Sequence, residues 1–186
     1  MVTKKKSFGM QKFPVQVLRN SIATATDGTP VYDPIDFDLQ YEANEAARLY
    51  KLKMWLANTG ALDDPHTDGV TRVRAALLDD PNAVIDIATA TEFDSRPEIV
   101  AYHEVIWSHQ IDAAPASKLL VDTCKRMELD FPDGGMLVGR NMQYTVVVDE
   151  TGSLTATTWE LRAELWFKKE RVSDAMFKQL MYGVRF

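Results

Sequence analysis

Hydrophobic and polar residues alternate along most of the chain with a period of two. The alternation is clearest in residues 156–172, where apolar side chains take every second position and charged side chains the positions between. These apolar residues are Trp159, Leu161, Ala163, Leu165 and Phe167. The composition of the segment favours a helix, but a sustained period of two is typical of a half-buried strand. The segment is therefore predicted to be a strand with Trp166 on the face opposite to Trp159.

Two earlier segments show the same alternation. In residues 32–41, Ile35, Phe37, Leu39 and Tyr41 alternate with polar residues, which predicts a half-buried strand. Residues 42–47 then form a connector that could hold a helical turn. In residues 48–60 one predicted strand face carries Tyr50, Leu52, Met54 and Leu56, and the other carries Leu49, Lys51, Lys53 and Trp55.

The later part of the chain also favours strands, although residues 112–141 fit either a helix or extended structure. Residues 98–111 alternate from Ile99 to Ile111. The run 142–149, a Gly-containing turn and the segment 156–172 predict a hairpin. After this hairpin, Ser173 is a good N-cap for one short C-terminal helix.

Counting the elements predicts an all-β body. Seven or eight strands are separated by turn signals at fairly regular spacing, with no alternation of strands and long helices. This pattern favours an antiparallel sandwich or barrel over a parallel α/β sheet. We divide the chain into an N-terminal arm at 1–13, a β-sandwich at 14–172 and a C-terminal helix and tail at 173–186.

Charge is unevenly distributed. The first 26 residues carry five basic and no acidic side chains, so with a net charge of −6 for the chain the other 160 residues carry −11. A basic arm on an acidic body is either a solvated terminus or a segment that contacts polyphosphate. No apolar run approaches the length of a membrane span, and no signal-peptide core follows the N-terminal lysines.

Catalytic and metal-binding patterns are not found in the sequence. It contains no Walker A motif, no dinucleotide-binding glycine motif and no nucleophile elbow. His103 and His109 are six positions apart, about 20 Å along a strand, which disfavours a shared metal. Cys124 is the only cysteine and is interpreted as a buried thiol. We therefore predict no enzyme activity, no metal and no cofactor.

Acidic and aromatic residues leave alternatives open. Asp36 and Asp38, and the loop acids around 63–68 and 79–80, could bind calcium but are more simply turn residues. Trp166 and Trp55 are the candidate residues of a subunit interface, because a large apolar ring on an outward face often marks one. Trp166 could equally be covered by the C-terminal helix, and stacking on carbohydrate is a third interpretation.

The order of these segments resembles that of single jelly-roll capsid proteins from small tailless icosahedral viruses. The resemblance rests on the basic arm, the segment "DPIDFDLQYEANEAARLYKLKMWLANTG" and the closing "LVGRNMQYTVVVDETGSLTATTWELRAELWFKKERVS". It implies an eight-stranded antiparallel jelly-roll sandwich with a basic N-terminal arm and a short C-terminal helix.

The resemblance also implies a function. The chain would be a capsid subunit that assembles with copies of itself into an icosahedral shell enclosing the genome, located in virions assembled in the host cytoplasm. Lys4, Lys5, Lys6 and Lys12 would contact nucleic acid, and a second capsid protein is a further candidate partner. Two alternatives are another phage or virus structural β-barrel, such as a tail tube or connector, and a jelly-roll carbohydrate-binding or cupin-like module.

Overall fold

The computed structural model describes residues 14–24, 28–58, 69–85, 87, 96–111, 118–122, 126–132, 134–152 and 159–182. Within these ranges the chain forms ten strands, a 3₁₀ turn and one α-helix. The strands pair antiparallel in two five-stranded sheets that form a sandwich. The predicted N-terminal arm lies outside the described residues.

The first sheet, sheet A, contains both the first and the last strand of the fold. Its strands are β1 (Gln16–Ala23), β3 (Glu45–Asn58), β7 (Arg126–Asp130), β8 (Met136–Val138) and β10 (Trp159–Arg171). Their order is β1-β10-β3-β7, and β8 pairs with β3 further along from β7. Because β7 and β8 follow one another along the same neighbour, they act as one interrupted strand.

The second sheet, sheet B, is built from the strands between them. These are β2 (Val31–Ile35), β4 (Gly69–Leu78), β5 (Ile99–Ile111), β6 (Lys118–Asp122) and β9 (Met142–Gly152). Their order is β2-β9-β4-β5-β6. The ambiguous region 112–141 thus contributes three short strands, and Cys124 lies outside the described residues.

The strand order is that of a jelly roll. With β7 and β8 counted as one strand and β6 as an extension, the eight principal strands form sheets ordered 1-8-3-6 and 2-7-4-5. In this order the two halves of the chain wrap round each other as two Greek keys. The predicted fold class, an antiparallel jelly-roll sandwich with a short C-terminal helix, is confirmed.

The predicted hairpin between 142–149 and 156–172 is wrong. β9 pairs with β2 and β4 in sheet B, whereas β10 pairs with β1 and β3 in sheet A. The residues of the predicted turn, 149–152, belong to β9 and continue its pairing with β4, from Asp149 opposite Arg72 to Gly152 opposite Gly69.

The hydrophobic core lies between the sheets and follows the predicted alternation most clearly along β10. The strand predicted over 32–41 is too long, since β2 ends at Ile35 and Tyr41 is exposed in the 3₁₀ turn Tyr41–Ala43. Along β10, Trp159, Leu161, Ala163, Leu165 and Phe167 are all buried, so the strand prediction for this segment is confirmed. Alternate side chains of the sheet B strands also point into this core. These include Val73, Ala75, Leu77, Val105, Tyr144, Val146 and Val148.

A β-bulge changes the inward face of β3. Trp166 pairs with Lys51, but the next residue, Phe167, pairs with Leu49, so Tyr50 is the extra residue. An extra residue exchanges the two faces of a strand on one side of the bulge. Leu49 is therefore in the core with 0% exposure, and Tyr50 is only half-buried. The prediction that Leu49 shares the outward face with Trp55 is wrong for this reason.

The outer faces of both sheets are partly covered. On sheet B, Ile85 and Ile87 pack over Ala76, Leu78 and Val147. On sheet A, the helix α1 (Asp174–Met181) begins after the predicted N-cap Ser173, whose Oγ accepts from the N–H of Met176 at 3.3 Å. Leu180 of this helix packs against Ala46 and Leu137.

The bulge can be tested by comparing two alanine variants. Leu49→Ala removes a fully buried side chain and should lower the free energy of unfolding by about 2–5 kcal/mol. Tyr50→Ala should cost clearly less, because Tyr50 is half-buried. Chemical denaturation followed by tryptophan fluorescence measures both. A larger loss for Tyr50→Ala would show that the unbroken alternation, and not the bulge, describes β3.

Candidate assembly surface

Trp55 and Trp166 both lie on the outer face of sheet A. Since Leu165 and Phe167 point into the core, Trp166 between them points outward. On β3 the residues Leu52, Met54 and Leu56 are buried, so Trp55 points outward as well. Both tryptophans are half-buried.

Strand register arranges this outer face in rows that cross the sheet. One row contains Val17, Trp166, Lys51 and Asp130, from β1 to β7. The next row along contains Arg19, Glu164, Lys53 and Glu128, and the third contains Ser21, Arg162, Trp55 and Arg126. Charged side chains of both signs lie around Trp166, whereas Trp55 lies between Arg162 and Arg126 in its row.

A cation lies over each tryptophan ring. The Nζ of Lys53 is 5.0 Å from the centroid of the Trp166 ring. The guanidinium carbon of Arg126 is 5.7 Å from the centroid of the Trp55 ring. A cation in this position is attracted to the aromatic face by roughly 0.5–1 kcal/mol at exposed sites. Each ring therefore has a cation packed over one of its faces.

The two rings are separate points on the face. Trp55 pairs with Arg162, which lies four residues from Trp166 on β10. At about 3.4 Å per residue, the two tryptophans are about 14 Å apart along the strand direction. The face therefore presents two aromatic positions with charged residues between them.

Glu128 connects the cations of this face. Its carboxylate accepts from Nζ of Lys51, lies 3.7 Å from Nζ of Lys53 and pairs with Arg126 at 3.0 Å. The hydrogen bond from Lys51 lowers the pKa of Glu128, and the same bond raises the pKa of Lys51. Exposed ion pairs of this kind contribute little stability, but they fix side-chain positions.

The edge of the same face is apolar at β1. Val15 and Val17 are 58% and 37% exposed, and Val17 pairs with Trp166. Periodicity along the sequence does not predict that these valines, or Arg126, are neighbours of the tryptophans. These contacts are made by strand pairing between distant segments, which a local pattern does not specify.

The outer face of sheet B has a different character, since a buried arginine holds the connection after β4 against it. Arg74 is 8% exposed and bonds to Glu104 at 3.3 Å and to the carbonyl oxygen of Ile87 at 3.4 Å. The hydroxyl of Tyr32 donates to the carbonyl oxygen of Ile85 at 3.1 Å. These hydrogen bonds fix Ile85 and Ile87 against the outer face of sheet B.

Other predicted positions are not brought together. His103 is buried beside Ala101 and Val105, whereas His66 and the side chain of His109 lie outside the described residues, as do Lys4, Lys5, Lys6 and Lys12. Asp36 accepts from the N–H of Asp38, and Asp38 pairs with Lys169 at 2.9 Å.

In the described ranges of the chain, no group of three or more His, Cys, Asp and Glu side chains could hold a metal ion. None of the helices found in those ranges is long and apolar enough to cross a membrane.

The pKa of Glu128 gives a direct test of the charge arrangement. Because the pKa is lowered in the folded protein, the stabilising contribution is present above the ordinary pKa of glutamate and is lost as the pH falls through the lowered value. Lys51→Met should raise the pKa of Glu128 toward its ordinary value, and Lys53→Met should raise it less. NMR titration of the carboxyl carbon measures both shifts. Lys178→Met, on α1, is the control and should leave the titration unchanged; an equal response in all three variants would contradict the arrangement.

Comparison with known proteins gives limited similarity. No family model matches the chain, and no curated protein sequence matches it. Among solved structures, the chain is similar to the structure of turnip yellow mosaic virus at 100 K. The sequence identity is 9%, the TM-score is 0.31, and the match covers 88% of this chain and 99% of that chain. It is also similar to the crystal structure of the 60-mer BFDV capsid protein, with 14% identity and a TM-score of 0.31. This match covers 86% of this chain and 95% of that chain. Both TM-scores are low, so the description of the fold rests on strand order and register alone.

Proposed function

We propose that this chain is a capsid subunit that assembles with copies of itself into an icosahedral shell enclosing a genome. The observation that carries the proposal is the strand order, 1-8-3-6 over 2-7-4-5, in a single sandwich. Capsid subunits are one of the main groups of proteins built on the jelly roll. A shared fold alone does not imply a function, so the outer face of sheet A provides the residue-level support for assembly.

The outer face of sheet A supports assembly because it carries two aromatic anchors on a rigid sheet. Aromatic residues and arginine are enriched in protein interfaces, and Trp55 and Trp166 lie here with Arg126 and Arg162 beside them. Because the face carries charges of both signs at fixed register positions, a docking partner must present complementary charges. In our proposal the partner is another copy, and a second capsid protein is the further candidate.

The basic arm is proposed to contact the genome. Lys4, Lys5, Lys6 and Lys12 lie before the first strand, and the body that follows them is acidic. Each lysine that neutralises a phosphate releases counterions, so the affinity depends strongly on salt concentration. The proposed location is the virion, assembled in the host cytoplasm, and no catalysis is assigned to the chain.

Electron microscopy of purified protein tests the assembly. We expect closed regular particles; stacked rings or tubes would instead indicate the alternative of a tail tube or connector.

Trp166→Lys should abolish particle formation while the thermal unfolding temperature changes little, because the ring lies outside the core. Ile106→Lys is the matched control, since Ile106 is 37% exposed and lies on sheet B. A wild-type protein that stays monomeric at all salt concentrations and pH values would contradict the proposal.

Removing residues 1–13 tests the arm separately. The truncated protein should fold with an unchanged circular dichroism spectrum, because the core is formed by residues from Ile22 onward. Its particles should retain less nucleic acid, measured as the absorbance ratio at ~260 and ~280 nm, because the phosphate contacts are lost. Replacing Lys4, Lys5, Lys6 and Lys12 by glutamine in the full chain separates charge from length. Unchanged particles with unchanged nucleic-acid content would rule out the arm's role.

A further inference from the structure

The four edges of the two sheets are protected to different degrees. β7, at one edge of sheet A, carries the charged residues Arg126, Glu128 and Asp130, and β2, at one edge of sheet B, contains Pro34. Charged side chains, proline and short length are the usual means of preventing an edge strand from pairing further. β6 and β8 are five and three residues long.

β1 lacks most of this protection. It is eight residues long, contains no proline, and has Arg19 as its only charged residue. Among the described strands its partner is β10 alone, so one side of β1 forms the edge of sheet A. The exposed Val15 and Val17 lie at this edge.

The register shows which backbone groups face the edge. The N–H of Thr24 donates to the carbonyl oxygen of Trp159 at 2.8 Å, continuing the pairing of Ala23 with Glu160. In an antiparallel pair, alternate residues direct both backbone groups to the same neighbour. Even-numbered residues of β1 therefore bond to β10. Val17, Arg19 and Ser21 direct their N–H and C=O groups away from β10.

We infer that the edge of β1 pairs antiparallel with β1 of a second copy of this chain, centred on Val17. This inference deepens the proposed function, because it names a contact by which copies would associate. Residues directly opposite one another across such a pair share a face, so the two-fold axis must lie midway between the two copies of one residue. With the axis at Val17, the two valines face each other and Val15 faces the second copy's Arg19.

The choice of Val17 follows from the side chains of the outer face. An axis at Arg19 would place two arginines opposite one another, which is unfavourable. An axis at Leu18 would place each Val17 against an arginine and leave no apolar pair on the outer face. With the axis at Val17, Trp166, Val17 and the same two residues of the second copy form one continuous apolar row, because Val17 and Trp166 are already neighbours.

Proline substitution gives a sharp test, because the two alternating sets of amides differ. Val17→Pro removes an N–H that faces the edge, so the fold should persist while the dimer is lost. Leu18→Pro removes an N–H that bonds to β10, so it should lower the thermal unfolding temperature sharply. Val17→Lys should also abolish the dimer. Val84→Lys is the matched control, since Val84 is 85% exposed and far from β1 in the sequence. Sedimentation velocity at several protein concentrations measures the dimer.

Hydrogen exchange of individual amides gives a second readout. In the wild-type protein, the amides of Val15, Val17 and Arg19 should become protected as the protein concentration rises, whereas those of Leu18 and Asn20 should be protected at all concentrations. Val17→Pro should remove the concentration dependence at Val15 and Arg19. Val17→Pro dimers, or edge amides that exchange freely at every concentration, would overturn the inference.

The two proposals fail in different ways. If closed particles form equally well from Val17→Pro and the edge amides stay unprotected, the β1 contact is wrong and the capsid function stands. If concentration-dependent dimers form through protected edge amides but no particles appear under any condition, the contact stands and the capsid function is wrong.

Discussion

The position of β10 between β1 and β3 is the constraint on which the rest of sheet A depends. Five apolar side chains of β10 point into the core, so a slip of one residue would exchange them for charged ones. The register with β1 and β3 is therefore held by burial as well as by hydrogen bonds. The same register places Trp166 outside, between Val17 and Lys51.

Local periodicity predicts the strands because alternation is a property of neighbouring residues. It correctly identified β10, and by parity it placed Trp166 opposite to Trp159. On β5 it matches the buried Ala101, His103 and Val105, but a bulge leaves Val100 as the extra residue and places Ile99 in the outer cluster. It could not distinguish Leu49 from Tyr50 as the core residue, since both are apolar and the bulge is set by the pairing with β10. Local periodicity also could not predict the pairing partners of β9 and β10, because the jelly roll pairs strands from opposite ends of the chain. The neighbours of the tryptophans depend on those pairings.

The two outer faces differ in what covers them, which is why the proposed assembly contact is on sheet A. The outer face of sheet B is occupied by its own connection, held through Arg74 and by Ile85 and Ile87. On sheet A, the helix packs over Ala46 and Leu137, whereas the rows through Trp166 and Trp55 are covered by the side chains of Lys53 and Arg126. A side chain of this length can move aside for a partner at small cost, but a packed connection cannot.

In the two proposals, the outer face and the β1 edge would select a partner by different means. On the face, charges of both signs would favour a surface that carries opposite charges at the same spacing. At the edge, main-chain hydrogen bonds would form with any extended strand, so selection comes from the register that keeps Arg19 away from a second arginine. The two surfaces meet where Val17 pairs with Trp166. A partner that satisfies the register at the edge therefore also extends the tryptophan row, which couples backbone pairing to side-chain recognition at one contact.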